Sequence, residues 1–234
     1  MTYLIESRKI VIPGELLAEG DYRAGRHTYQ EDKKIYASIV GLSNHVGRNV
    51  YVVALKGCYF PQIGDLVIGK IIDMRLGSWI ADINAPYTAN LFASDVFDRP
   101  FNSRKEDMTR VFNIGDLVLA KVKSFDRTRD PSLTTRESGL GRIVHGRIIT
   151  MTPTKIPRLI GRRGSMINSI KRETVTNITI GQNGLILISG KRLAYENLAI
   201  KVIHLIEAEA HTSGLTERVT KFIKEEKSVL NDKN

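Results

Sequence analysis

The chain has 234 residues, 42 % of them apolar, with 35 Lys and Arg against 25 Asp and Glu, a net charge of +10 and a pI near 9.7. That length allows one large domain or two to three small ones, and that apolar share supports ordinary cores and excludes a disordered chain. No apolar run approaches the ~18 residues of a membrane-spanning helix, the start Met1-Thr2-Tyr3-Leu4-Ile5-Glu6-Ser7-Arg8 lacks the layout of a secretory signal, and the single cysteine, Cys58, excludes a disulfide framework and a Cys-rich zinc site, so a reducing, cytoplasmic setting is expected.

The first sixty residues are β-rich. Lys9-Ile10-Val11-Ile12 is a short β-prone run stopped by Pro13-Gly14, and Ile35–Val40 and Asn49–Leu55 alternate. Closely spaced short strands between glycines predict a small sheet or half-barrel over residues 1–60. Next, Ile63-Gly64-Asp65-Leu66-Val67-Ile68-Gly69-Lys70-Ile71 is echoed 51 residues later as Ile114-Gly115-Asp116-Leu117-Val118-Leu119-Ala120-Lys121-Val122. Each copy is a Gly-Asp turn feeding an alternating strand. Two copies do not make a solenoid; they fit two strands of one sheet or barrel. A five-stranded OB barrel over 61–140 accommodates the region, with polar loops at 98–107 and 126–132.

The last third changes period. Strand-like His145–Met151 leads to Ile156, Leu159 and Ile160 on one helical face, and Met166, Ile167 and Ile170 restart that face after Gly161-Arg162-Arg163-Gly164. Strands follow at Asn177–Ile180 and Leu185–Ser189, then Tyr195, Leu198, Ala199, Val202, Leu205 and Ile206 mark a strong amphipathic helix. The unit is expected over 141–212. Beyond it, residues 213–234 carry another helix, with Leu215, Val219, Phe222 and Ile223 on one face, Val229 and Leu230 two turns on, and a frayed end; it is expected to dock on its own chain.

Charge is segregated. Residues 1–60 net +2 and 61–140 net zero, whereas 141–234 carry sixteen basic residues against eight acidic ones. Within 142–172 there are eight basic residues, Lys155, Arg158, Arg162, Arg163, Lys171 and Arg172 among them, and no acidic one. Such a field attracts polyanions.

Ile160-Gly161-Arg162-Arg163-Gly164-Ser165-Met166-Ile167 matches the Ile-Gly-x-x-Gly-x-x-Ile core of KH domains. Glycines at both ends of a tight loop let backbone approach a sugar-phosphate chain without Cβ clashes. The following helix turns unpaired N–H groups towards the phosphates, and Arg162 and Arg163 add full charges. The element order corresponds to the eukaryotic-type (type I) topology, whose groove takes about four unpaired bases.

Over about residues 5–210 the chain resembles the KH-bearing RNA-binding cap subunit of the archaeal RNA exosome. Val11-Ile12-Pro13-Gly14-Glu15, Gly25-Arg26-His27-Thr28-Tyr29, Tyr59-Phe60-Pro61-Gln62-Ile63-Gly64-Asp65-Leu66-Val67-Ile68-Gly69 and the KH segment carry that likeness. The resemblance implies a multidomain α+β chain: an N-terminal β-rich half-barrel, an S1-type OB β-barrel, a type I KH domain and a C-terminal helix. It also implies three copies on a hexameric phosphorolytic ring, their barrels around a pore through which single-stranded RNA 3′ ends are fed for 3′-to-5′ degradation, with the N-terminal domain supplying ring contact. Gly181-Gln182-Asn183-Gly184 resembles the Gly-x-Asn-Gly signature of exosome KH domains, a turn expected to pack on the barrel.

The RNA-binding candidates are therefore Gly161, Arg162, Arg163 and Gly164 with Lys155, Arg158, Lys171 and Arg172, and on the barrel Lys70, Arg75, Lys121, Lys123, Arg127 and Arg129. Many S1 barrels expose two aromatics in a Phe-Gly-x-Phe stretch. Here it is Leu76-Gly77-Ser78-Trp79, so the first is missing; Trp79 is read as core or interface rather than stacking platform, and Phe92 falls where many members carry a histidine.

Other signals fail. Gly184–Arg192 lacks the spacing and the Ser/Thr of a P-loop. His204, Glu207 and His211 share a helix without the i, i+4 pair of a helical metal site, and no cofactor or metal is expected. No Ser/His/Asp context offers a nucleophile. Two alternatives remain open: an RNA-degrading enzyme carrying its own RNA-binding tail, and a transcription or translation factor using S1 and KH modules.

Overall fold

The computed structural model describes residues 2–4, 6, 9–55, 57–97, 107–126, 128–210, 212 and 214–231. They form two compact units, Met1–Gly57 and Cys58–Asn234. The architecture is α+β and multidomain.

In the first unit, glycine-punctuated strands too short to bury a face alone form two four-stranded sheets. They are β1 (Thr2–Tyr3), β2 (Ile10–Val11), β3 (Leu16–Glu19), β4 (Arg23–Ala24), β5 (Thr28–Glu31), β6 (Lys34–Ala37), β7 (Gly41–Val46) and β8 (Asn49–Ala54), in the orders β1-β3-β6-β5 and β2-β7-β8-β4. Val11, Leu17, Ala18, Ile35, Ala37, Val50 and Val52 fill the half-barrel. The strict side-chain alternation of strands turns their neighbours outward. Ile10 lies opposite Leu42, and Leu42 opposite Val53. Ile10, Ile12, Val40, Val53 and Leu55 are all exposed, giving one sheet an apolar outer face.

The second unit opens with the barrel: β9 (Leu66–Arg75), β10 (Ser78–Asp82), β11 (Thr88–Phe92), the short helix α1 (Ala93–Phe97), β12 (Leu117–Asp126), β13 (Arg129–Thr134) and β14 (Gly141–Ile143). The order β13-β11-β10-β9-β12 closes through a β12–β13 pairing into five strands, and β14 extends β12. The echoed segments become β9 and β12, antiparallel neighbours with Leu66 opposite Lys121 and Lys70 opposite Leu117. Their turns match bond for bond. Gly64 N–H donates to Val122 C=O (2.8 Å) and Gly115 N–H to Ile71 C=O (2.7 Å); Val122 N–H donates to Asp65 C=O (2.9 Å) and Ile71 N–H to Asp116 C=O (2.8 Å). Both glycines have a positive φ, +89° and +96°.

Trp79 is fully buried. Its indole N–H donates to Phe112 C=O (3.1 Å), and its ring meets Phe112 edge to face. It therefore fills the core, as its sequence context suggests. The expected 126–132 loop is shorter than the sequence implies. Asp126 accepts from the Thr128 amide in a tight turn, and strand resumes at Arg129 with Pro131 inside it. A register shift between Ser124 and Asp126 accommodates the proline, which cannot donate to the ladder. Of the expected 98–107 loop, only Asp107 lies within the described residues.

The KH domain follows: β15 (Arg147–Thr150), α2 (Ile156–Ile160), α3 (Ser165–Thr174), β16 (Thr176–Ile180), β17 (Leu185–Gly190) and α4 (Leu193–Ala208). The antiparallel sheet β15-β17-β16 carries the helices over a core of Leu159, Met166, Ile167, Ile170, Ile186, Ile188, Leu198 and Val202, among others. The final helix, α5 (Leu215–Asn231), docks on this same core through Leu215, Val219 and Ile223, with Phe222 packed against it. The side chains of Val229 and Leu230 and residues 232–234 lie outside the described part.

Candidate nucleic-acid interface

The glycine loop joins α2 to α3. Gly161 has φ +73°, and a Cβ there would come within 2.8 Å of Met166 Cβ and 2.9 Å of Met166 N, so only glycine fits. Arg163 and Gly164 also take left-handed backbone, at +52° and +78°. This sharp reversal presents Arg162 and Arg163 outward. Both are exposed, and neither guanidinium has a protein acceptor among the described residues.

The other KH candidates are arranged differently. Lys155 Nζ donates to Glu207 C=O (2.8 Å), near the end of α4. Arg158 donates to Thr212 C=O (2.8 Å) before α5. Lys171 is half-buried, and Arg172 lies 3.5 Å from Glu173. Burial pushes the Glu207 carboxyl up, but hydrogen bonds from the Thr152 amide and hydroxyl, with Lys155 and His204 nearby, outweigh it and hold the group below the ordinary carboxylate range.

On the barrel, Lys123 is drawn to Asp95, whose side chain is only 2 % exposed. Its Nζ lies 2.8 and 3.1 Å from the two carboxylate oxygens, and Arg136 Nε lies 3.3 Å from Asp95. Lys121 pairs with Glu137. Arg75 sits 3.7 Å from Asp73, both well exposed. Lys70 and Arg129 are exposed on β9 and β13, and Arg127 lies outside the described residues. Phe92 is 44 % exposed and Leu76, at the β9–β10 turn, 90 %.

Gly181-Gln182-Asn183-Gly184 joins the two modules. Asn183 is fully buried. Its Nδ2 donates to Ile68 C=O (2.7 Å) and Ile83 C=O (2.8 Å), and its Oδ1 accepts from Ile68 N–H (3.4 Å). Gln182 N–H donates to Leu66 C=O (2.7 Å), and Asn84 Nδ2 donates back to Asn183 C=O (2.9 Å). The arginine loop and the barrel are thus parts of one body. Among the described residues no group of His, Cys, Asp and Glu could hold a metal ion; His211 lies outside them. No described helix is long and apolar enough to cross a membrane.

Residues 8–56 match the N-terminal domain of the exosome RNA binding protein RRP4, 58–124 the RRP4 S1 domain and 147–204 the KH domain. The chain is 45 % identical over 217 residues to the exosome complex component Rrp4 of Pyrococcus abyssi, covering 92 % of this chain and 82 % of that one. It belongs to the Rrp4 family. The Rrp4 of Thermofilum pendens is 41 % identical over 96 % of both chains. A crystal structure provisionally described as an exosome complex RNA-binding protein superposes with a TM-score of 0.70 at 43 % identity, covering 74 % of this chain and 99 % of that one. The exosome resemblance read from the sequence is therefore correct for the family. Asn84 and the Asp95 pair escape sequence reasoning even with the Rrp4 family in hand, because their partners lie far away in the chain.

Proposed function

We propose that this chain is the non-catalytic, cytoplasmic RNA-binding cap subunit of an exosome. Three copies sit on a hexameric phosphorolytic ring, capture single-stranded RNA 3′ ends and feed them through a central pore for 3′-to-5′ degradation. The observation that carries the reading is the Arg162–Arg163 tip, exposed and, among the described residues, without protein acceptors, on a loop in the same compact unit as the barrel. Its chemistry suits phosphates, and its setting suits an unpaired strand. The likeness to the Rrp4 components of exosome complexes supports the assembly. The apolar outer face of the N-terminal sheet supports a large protein partner.

Lys155, Arg158 and Lys123, held by protein acceptors, shape the surface around the path. Gly161, Arg162, Arg163, Gly164, Lys171, Lys70 and Arg129 face it directly. Fluorescence anisotropy on the full chain tests this reading. With about four phosphate contacts, log affinity for single-stranded RNA falls against log salt with a slope of roughly −3. Arg162→Asp with Arg163→Asp weakens binding and leaves the melting temperature in place, because both side chains lie in solvent. A flat salt response, or normal binding by the double variant, would refute the reading.

A further inference from the structure

Beside the glycine loop lies a cleft of about 610 Å³. Its lining comes from the glycine loop and its flanks, Pro157, Arg162 and Met166 among them, and from the start of α5, with Leu215 and Glu217. Its size falls within the range of small-ligand sites, roughly 300–1,000 Å³. Met166 and Leu215 are largely buried in the KH core and reach the cleft only by their edges, so the polar groups of its lining decide what it takes. Arg162 reaches it from the loop assigned above to the RNA backbone.

Glu217 is the unusual member. It is exposed, lines the same cleft as Arg162, and has no hydrogen bond or ion pair among the described residues. An ionised carboxylate only accepts hydrogen bonds, and it does so best from two adjacent N–H groups at once. We infer that this cleft takes one unpaired nucleobase of the strand held at the glycine loop, and that Glu217 selects guanine there. Guanine presents N1–H and the exocyclic N2–H side by side. Uracil presents one N–H between two carbonyl oxygens, which a carboxylate repels. Recognition of unstacked bases along their hydrogen-bonding edges is the ordinary route to sequence preference in single-stranded RNA. An acidic residue also suits the first turn of α5 through the helix dipole. That role explains a small gain in stability but leaves all four bases equivalent.

The inference rests on the RNA reading of the loop, so its test separates the two. Anisotropy on the full chain compares a uridine oligomer with the same oligomer carrying one central guanosine. The guanosine oligomer should bind roughly tenfold tighter, the size expected of a charge-assisted hydrogen-bond pair. Glu217→Ala should erase that advantage without weakening uridine-oligomer binding; Glu217→Gln, of the same shape, should erase most of it. Equal binding of the two oligomers by the wild-type chain overturns the inference, as does a guanosine advantage that survives Glu217→Ala. If uridine-oligomer binding instead ignores Arg162→Asp with Arg163→Asp, the loop reading itself fails, and the cleft assignment falls with it.

Discussion

Asn183 commits its whole side-chain amide to the barrel, donating to two carbonyls and accepting from one amide. Removing it leaves those buried groups without partners, a more costly event than losing a hydrogen bond at the surface. Asn183→Ala should destabilise the second unit by roughly 2–4 kcal/mol, seen as a lower urea midpoint; an unchanged midpoint would mean that water takes over the bonds. Gly-x-Asn-Gly and Gly-x-x-Gly were legible because both are local backbone devices, each fixed by residues three apart. Asp95 was not, because its cations Lys123 and Arg136 arrive from β12 and from the segment after β13. Nor was Asn84, whose partner is 99 positions away.

The helices of the KH domain follow directly from apolar periodicity, and α5 falls on the same core as α4 because its stripe has the same 3.6-residue rhythm. Polar ties then fix the ends. Lys227 Nζ lies 2.8 Å from Glu173 on α3, and that bond, with the lysine's charge, holds the Glu173 carboxyl below its ordinary range. Glu207 holds the turn before α2. A carboxyl lowered in the folded chain stabilises it above the ordinary glutamate value of 4.5, and that stabilisation is lost as pH falls through the lowered value. The melting temperature should therefore fall on acidification from neutral to about pH 3, and less steeply for Glu207→Gln than for wild type. Parallel slopes would remove Glu207 from the account. Strand ends were harder to read than helices: Pro131 looked like loop, and only a register shift between β12 and β13 lets it lie in a strand.

Across the molecule, function divides by surface chemistry. Positive charge gathers in the last third, while the N-terminal unit exposes Ile10, Ile12, Val40, Val53 and Leu55 on one sheet face. Charge segregation was plain in the sequence; the apolar face was not, because alternation alone does not say which side of a strand is covered. Ile12→Asp with Val53→Asp should leave the chain folded, since both side chains are exposed, and abolish co-migration with a phosphorolytic ring on size exclusion. Continued co-migration would place the ring contact elsewhere. The paired Gly-Asp turns of β9 and β12 have a wider consequence. Each strand is anchored at its start to the middle of the other, so the β9–β12 ladder is locked at both of its ends by the same fitting. Sliding one strand by a residue would turn its inward set outward and break both fittings together, leaving misaligned barrels with no partial solution to settle into.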